Sequence, residues 1–117
     1  MITNSVNVNK VINAQTIAAN GSYSSPILDM NLFKANGYFS LQVTVTGSGT
    51  CKFEYLCSND GENFVEPVGA SDISSGVTAV TSAITSFTPI PCAYMRIKCT
   101  ETGGANSVTV NAWLCIV

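Results

Sequence analysis

Apolar and polar residues alternate with a period of two along several stretches of this chain, the spacing of a β-strand with one face buried and the other in water. Phe39, Leu41, Val43 and Val45 share one side, while Ser40, Gln42, Thr44 and Thr46 share the other. Thr46-Gly47-Ser48-Gly49 then supplies a turn, after which Cys51, Phe53, Tyr55 and Cys57 alternate with Lys52, Glu54, Leu56 and Ser58. The two runs predict a hairpin. Farther along, Ala93, Met95, Ile97 and Cys99 alternate with Tyr94, Arg96, Lys98 and Thr100, and the turn Gly103-Gly104-Ala105-Asn106 leads to a last strand. There Val108, Val110, Ala112, Leu114 and Ile116 share a face, with Thr109, Asn111 and Trp113 opposite. An aromatic on that outer face is packed either by a loop or by a neighbouring subunit.

The remaining segments carry weaker patterns. Val6, Val8 and Ile12 line one side of an edge strand within the Asn-rich stretch from Asn4 to Ile17. Asn20-Gly21-Ser22-Tyr23-Ser24-Ser25-Pro26 reads as a loop, Ile27-Leu28-Asp29-Met30 starts another strand, and the β-branched density from Thr78 to Thr88 predicts one or two more. No segment holds a helical apolar stripe longer than two turns. The predicted fold is all-β, an antiparallel β-sandwich or jelly roll of about seven to eight short strands. Residues 1–13 are expected to form an N-terminal arm or edge strand, and residues 14–117 a single sandwich domain.

A chain of 117 residues leaves no room for a second core. It buries roughly 65% of its extended surface on folding, enough for a core without metal or disulfide staples. Charged residues make up only 10% of it, against a usual ~25%. A polar, weakly charged surface lacks the self-repulsion that keeps monomers apart and suits a protein covered by neighbours in an assembly. The net charge is −2, and the five basic residues, Lys10, Lys34, Lys52, Arg96 and Lys98, form no stripe, so no nucleic-acid partner is expected. Arg96 and Lys98 are expected on the solvent side of a strand. The N-terminus lacks the charged and apolar regions of a secretory signal, and no apolar run approaches the ~20 residues of a membrane span. Synthesis in the cytoplasm, with no membrane partner, is the expectation.

The chain contains no histidine, which removes the commonest general base, the commonest metal ligand and the Ser-His and Cys-His activation schemes together. Cys51, Cys57, Cys92, Cys99 and Cys115 form an odd set without the short spacings of a zinc site. They read as reduced thiols that pack as small hydrophobes. A carboxylate hydrolase would need two acids in one cleft, one with a raised pKa, and the spacing of Asp29, Glu54, Asp60, Glu62, Glu66 and Asp72 selects no such pair. Asp60, Glu62 and Glu66 could gather round calcium in the loop 58–67, but ordinary turn chemistry explains the same residues. In that reading Asn59-Asp60-Gly61 supplies a left-handed position and Phe64 returns to the core. Glycines at 47, 49, 103 and 104 join strands, as hairpin turns require, and form no phosphate loop. No catalytic, metal or cofactor residue is assigned, and the chain is expected not to be an enzyme. Tyr23, Tyr38, Tyr94 and Trp113 are the aromatics that could stack on sugars if two or three were exposed and coplanar.

Four features in order, a short polar N-terminal arm, the strand ending Val43-Thr44-Val45-Thr46-Gly47, the loop Ser58-Asn59-Asp60-Gly61-Glu62-Asn63-Phe64 and the stretch Ala93-Tyr94-Met95-Arg96-Ile97, resemble small bacteriophage and prophage virion proteins of the capsid decoration, head-fibre or minor structural type. The Ser-x-Asp-Gly-x-x-Phe turn is also similar to loops of sugar-binding sandwiches. The resemblance implies a virion protein that self-associates as a trimer or other small homo-oligomer and docks on a major capsid or tail protein. The alternative is a carbohydrate-binding module that attaches to a host glycan. The resemblance transfers no catalytic residue and does not account for the five thiols.

Overall fold

The computed structural model describes residues 7–33, 37–78 and 81–117. The alternating runs form strands, nine among the described residues: β1 (Asn7–Ile17), β2 (Ser22–Ser24), β3 (Leu28–Asp29), β4 (Phe39–Gly47), β5 (Thr50–Ser58), β6 (Ser74–Thr78), β7 (Thr81–Phe87), β8 (Tyr94–Glu101) and β9 (Val108–Ile116). One sheet has the order β1-β9-β4-β7 and the other β2-β8-β5-β6, with β3 also on β8. Every strand pairing among the described residues is antiparallel. The only helical element among the described residues is a 3-10 turn at Met30–Leu32, and no helix is long or apolar enough to cross a membrane.

β2 and β3 are two halves of one strand, because their partners on β8 run from Thr100 to Lys98 and then from Met95 to Tyr94. The break falls at Ser25-Pro26-Ile27, where proline cannot donate to the ladder. Buried Ser25 bridges it: its N–H donates to the Ile97 carbonyl at 2.8 Å and its Oγ accepts from the Ile97 N–H at 2.9 Å. With the halves counted as one, the two sheets have the eight-strand plan of a double-sheet jelly roll.

The inward residues of β4, β5, β8 and β9 match the alternation. Leu41, Val45, Phe53, Ile97, Val110 and Leu114 are each at most 2% exposed and interdigitate between the sheets. β1 departs from it. Register shifts against β9 fall between Lys10 and Ile12 and between Ile12 and Gln15, and Ala14 takes a positive φ of 47°. The first shift turns adjacent Val11 and Ile12 both inward and leaves Val8 60% exposed, because one extra residue in a strand inverts which side faces the core. Val6 lies outside the described residues. β1 runs through position 13, and Ile17 also enters the core.

Two outward residues have different neighbours from those expected. Trp113 lies under the Lys10 ammonium, 5.1 Å from the ring centroid, so it is covered by the adjoining strand β1. Phe64 does not return to the core; it packs beneath the Arg96 guanidinium at 5.4 Å. Arg96 itself is half-buried, its Nε donating to the Ser25 carbonyl at 2.7 Å.

The end of the sandwich that carries the β1–β2, β4–β5 and β8–β9 turns is drawn together by Glu101, the last residue of β8. Its position continues the inward set Met95, Ile97 and Cys99, and it is 1% exposed. Oε1 accepts from the N–H groups of Asn20 at 3.2 Å and Gly104 at 2.7 Å; Oε2 accepts from Thr50 at 3.0 Å and Gly103 at 2.7 Å. Those donors belong to all three turns. Gly49 and Gly103 make room for the carboxylate, since a Cβ at either would stand 2.9 Å from Oε2. The Thr50 and Gly104 N–H groups lead in stabilising the charge and hold the pKa down at about 2, against 4.5 for an ordinary glutamate.

Ionised Glu101 therefore favours the folded chain fully above about pH 4.5, and that contribution is lost as pH falls toward about 2. Glu101→Gln presents an amide NH2 to backbone donors and leaves at least one of them unmatched. At neutral pH it is expected to lower Tm by on the order of 10 °C. In circular-dichroism melts the gap between the two proteins should shrink as pH falls through the same window; equal Tm values at neutral pH would remove Glu101 from this role.

Candidate interaction surface

The opposite end of the sandwich is built from different chemistry. The 3-10 turn and the segment before β4, the long β5–β6 loop and the β7–β8 connection all end there. Leu32, Tyr38, Val65, Val68 and Ile90 expose between 49% and all of their surface at this end. Beneath them three aromatic rings bridge the sheets: Phe39 and Phe87 have centroids 5.5 Å apart, and Phe87 and Tyr55 5.6 Å. The Tyr55 hydroxyl accepts from the Ile90 N–H at 3.4 Å, which ties the β7–β8 connection to the bridge.

Pro89-Ile90-Pro91 stands between three clefts. A cleft of about 390 Å³ lies among Met30, Phe33, Phe39, Pro89 and Met95; a second, of about 520 Å³, lies among Cys57, Asp60, Asn63, Val65 and Cys92. A third, of about 400 Å³, lies among Tyr55, Val68, Ala70, Asp72 and Phe87. Ile90 lines all three. Two prolines restrict the backbone on either side of Ile90, so this apolar ridge is held without much conformational freedom to lose on binding. Nothing in the alternation marks the ridge, because it lies between strands; the Pro-Ile-Pro composition is the signal that could have found it.

The acidic residues of the β5–β6 loop separate into two groups. Asp60 is spent on the turn: Oδ1 accepts from Ser58 Oγ at 2.7 Å and from the Glu62 and Asn63 N–H groups, both at 2.9 Å, while Oδ2 accepts from Asn63 Nδ2 at 2.8 Å. These donors, the Asn63 N–H foremost, hold its pKa well below the usual carboxylate range. Gly61 takes the left-handed position, with φ 78°. Glu66 lies elsewhere. The loop returns along β5 through paired Cys57–Val65 hydrogen bonds of 2.9 and 3.0 Å and an Ile73-to-Phe53 bond of 2.8 Å. That path brings one carboxylate oxygen from each of Glu54, Glu66 and Asp72 to within 4.8 Å of the others. The nearby charge of Glu54 raises the Glu66 pKa, helped by a hydrogen bond between the two carboxyls and by Asp72. Lys52 Nζ lies 3.5 Å from Glu54 Oε1 and offsets part of that charge. The cluster offers three carboxylates, each able to give one or two of the six to eight oxygens that calcium takes. Asp29 caps the 3-10 turn, accepting from the Asn31 N–H at 3.0 Å.

The aromatics do not assemble into a platform. Tyr38 is 70% exposed, whereas Tyr23 packs against the core, Tyr94 lies half-buried beside Gly61 and Trp113 lies beneath Lys10. The residue that sequence reasoning passed over is Glu101, the one carboxylate left out of the candidate acids. Its parity with Met95, Ile97 and Cys99, and the two glycines after it, were the available signals.

The cysteines are all unpaired. Burial raises the Cys51 thiol to about 11, with the charge of Glu101 adding to the effect. Burial raises Cys57 to about 12, helped by a hydrogen bond with Cys92, and Cys99 to about 12, helped by Cys51. The thiolate is the nucleophile. At about pH 8 iodoacetamide should therefore modify Cys51 about a hundredfold more slowly than an unperturbed thiol, and Cys57 and Cys99 more slowly still. Mass spectrometry of alkylated peptides, before and after denaturation, checks this; rapid labelling of all three in the folded protein would contradict it.

No protein-family model matches the chain, and no curated protein is similar to it in sequence. Solved structures share the fold at low identity. A chain from the structure of infectious bursal disease virus Gx strain superposes with a TM-score of 0.55 at 12% identity, over 96% of this chain and 31% of its own length. PirA superposes with a TM-score of 0.50 at 14% identity, over 99% and 95%. The Clostridium thermocellum xylanase 10B chain, comprising a carbohydrate-binding module and a catalytic module and complexed with xylohexaose, superposes with a TM-score of 0.51 at 14% identity, over 93% and 24%. This chain thus spans about a third of the viral chain and a quarter of the xylanase chain. At these identities the likeness is one of fold, the all-β sandwich.

Proposed function

We propose that this chain is a non-enzymatic structural component of a virion, associating with copies of itself and docking on a major capsid or tail protein. The observation that carries the reading is the apolar surface gathered at one end of the sandwich: three clefts around Ile90, with Leu32, Tyr38, Val65 and Val68 exposed beside them. Contiguous exposed apolar surface rimmed by polar residues marks protein contact. The low charge of the chain agrees with a surface covered in an assembly. The sandwich fold, which superposes on part of a chain of a virus structure, is compatible with this role. The scattered aromatics favour protein contact over the alternative of host-glycan binding, since a sugar platform needs coplanar exposed rings. The absence of histidine from the sequence supports the non-enzymatic part of the reading.

Mass spectrometry of purified particles from cells that carry the gene should find the chain at a fixed ratio to the major capsid or tail protein. In a co-sedimentation assay with particles lacking the chain, Ile90→Asp should weaken binding at least tenfold, because it sets an unpaired charge at the centre of the contact. Its melting temperature should stay close to that of the parent, since Ile90 is half exposed. Absence from particles, together with selective binding on a glycan array, would replace this reading with the carbohydrate-binding one.

A further inference from the structure

Each sheet of the sandwich has two edges, and an unprotected edge is a template for another strand. Three of the four carry protective devices. β1 holds Lys10 and two register shifts. The β2/β3 edge is cut into pieces of three and two residues at Pro26. β6 is five residues long, contains Gly76 and has a register shift against β5. β7 has none of these. It pairs with β4 in unbroken register from Val45↔Thr81 to Phe39↔Phe87, contains no proline or charge, and sits in a stretch without a charged residue from Ile73 to Met95. Its outward residues Ser82, Ile84 and Ser86 are exposed, Ile84 by 68%.

We infer that β7 is the self-association edge, pairing antiparallel with the β7 of a second copy about a two-fold axis at Ile84. The inference rests on the proposed virion reading and names the surface used for self-association. The occupant follows from the strand itself. In such a pair every residue meets its mirror position, so a charge within reach of the axis would often meet its own copy; β7 has none. Ile84, the midpoint of the seven residues, would face Ile84 of the second copy, with Ser82 opposite Ser86 and Ala83 opposite Thr85. The four-stranded sheet would continue as an eight-stranded one. An isologous pairing closes at two copies, so of the small homo-oligomers that the resemblance implies this edge yields a dimer and not a trimer.

Sedimentation velocity of the full chain should show a reversible monomer–dimer equilibrium with Kd on the order of 10 μM, as expected of a small edge contact. Ile84→Lys, which places two ammonium groups face to face, should leave a monomer with an unchanged melting temperature. Ile84→Cys should give a disulfide-linked dimer on mild oxidation, because directly opposed strand residues have Cα separations within disulfide range. Peptide mapping should place the cross-link at position 84, and dithiothreitol should reverse it. A wild-type monomer across the range, a dimer that persists in Ile84→Lys, or a cross-link elsewhere would overturn the inference. Particle association by a protein that stays monomeric would sink this inference and the self-association part of the proposed function while leaving the docking part; a β7 dimer absent from particles would sink the virion reading and leave the edge pairing.

Discussion

Glu101 is the constraint on which the polar end of this molecule depends. A carboxylate almost wholly out of solvent costs stability unless its lone pairs are met, and here four backbone N–H groups meet them. The donors come from three turns that are remote in sequence, so one side chain sets the mutual position of the β1–β2, β4–β5 and β8–β9 connections. The glycines follow from it. Gly49 lies against Glu101 Oε2, the Asn106 carbonyl and Val108 Cγ1, and a Cβ would stand 2.9 Å or less from each. Turns satisfied internally in this way have few polar groups left to offer a partner.

The other end of the sandwich is organised by apolar contact. Phe39, Phe87 and Tyr55 join the sheets, and the Tyr55 hydroxyl reaches up to the Ile90 backbone. Above that bridge the loops are longer and leave clefts instead of closing over the core. The molecule is therefore polarised along its strands. One end is compact and hydrogen-bonded; the other exposes apolar side chains on a restrained framework. Asp60 contributes to that framework, since its carboxylate orders the start of the β5–β6 loop.

Low charge acts on the sheet edges as well as on the surface at large. Charged side chains are the usual guard against edge-to-edge pairing, and a chain with so few of them must use other means. Register shifts, Pro26 and short strands serve three edges. The fourth, β7, is regular, uncharged and backed by an unbroken ladder to β4. The contrast lies within one molecule, under one composition.

The all-β class and the inward residues of β4, β5, β8 and β9 were legible in the sequence, because alternation is a local property of an extended backbone. The parity that places Ile97 inside also places Glu101 inside, yet nothing local says which turns its carboxylate will meet. In β1 the alternation misleads: Val8 and Ile12 share a parity but not a face, since the register shift depends on pairing with β9. Phe64 reads as a core residue and lies against Arg96 because the loop follows β5 outward. The same path unites Glu54, Glu66 and Asp72, and Ile90 reaches its three clefts through loops from distant parts of the chain. The sequence alone determined what each strand could bury. Which turns, edges and loop residues came together was decided only by tertiary structure, because those contacts depend on sheet order and loop path, and neither is encoded in a period of two.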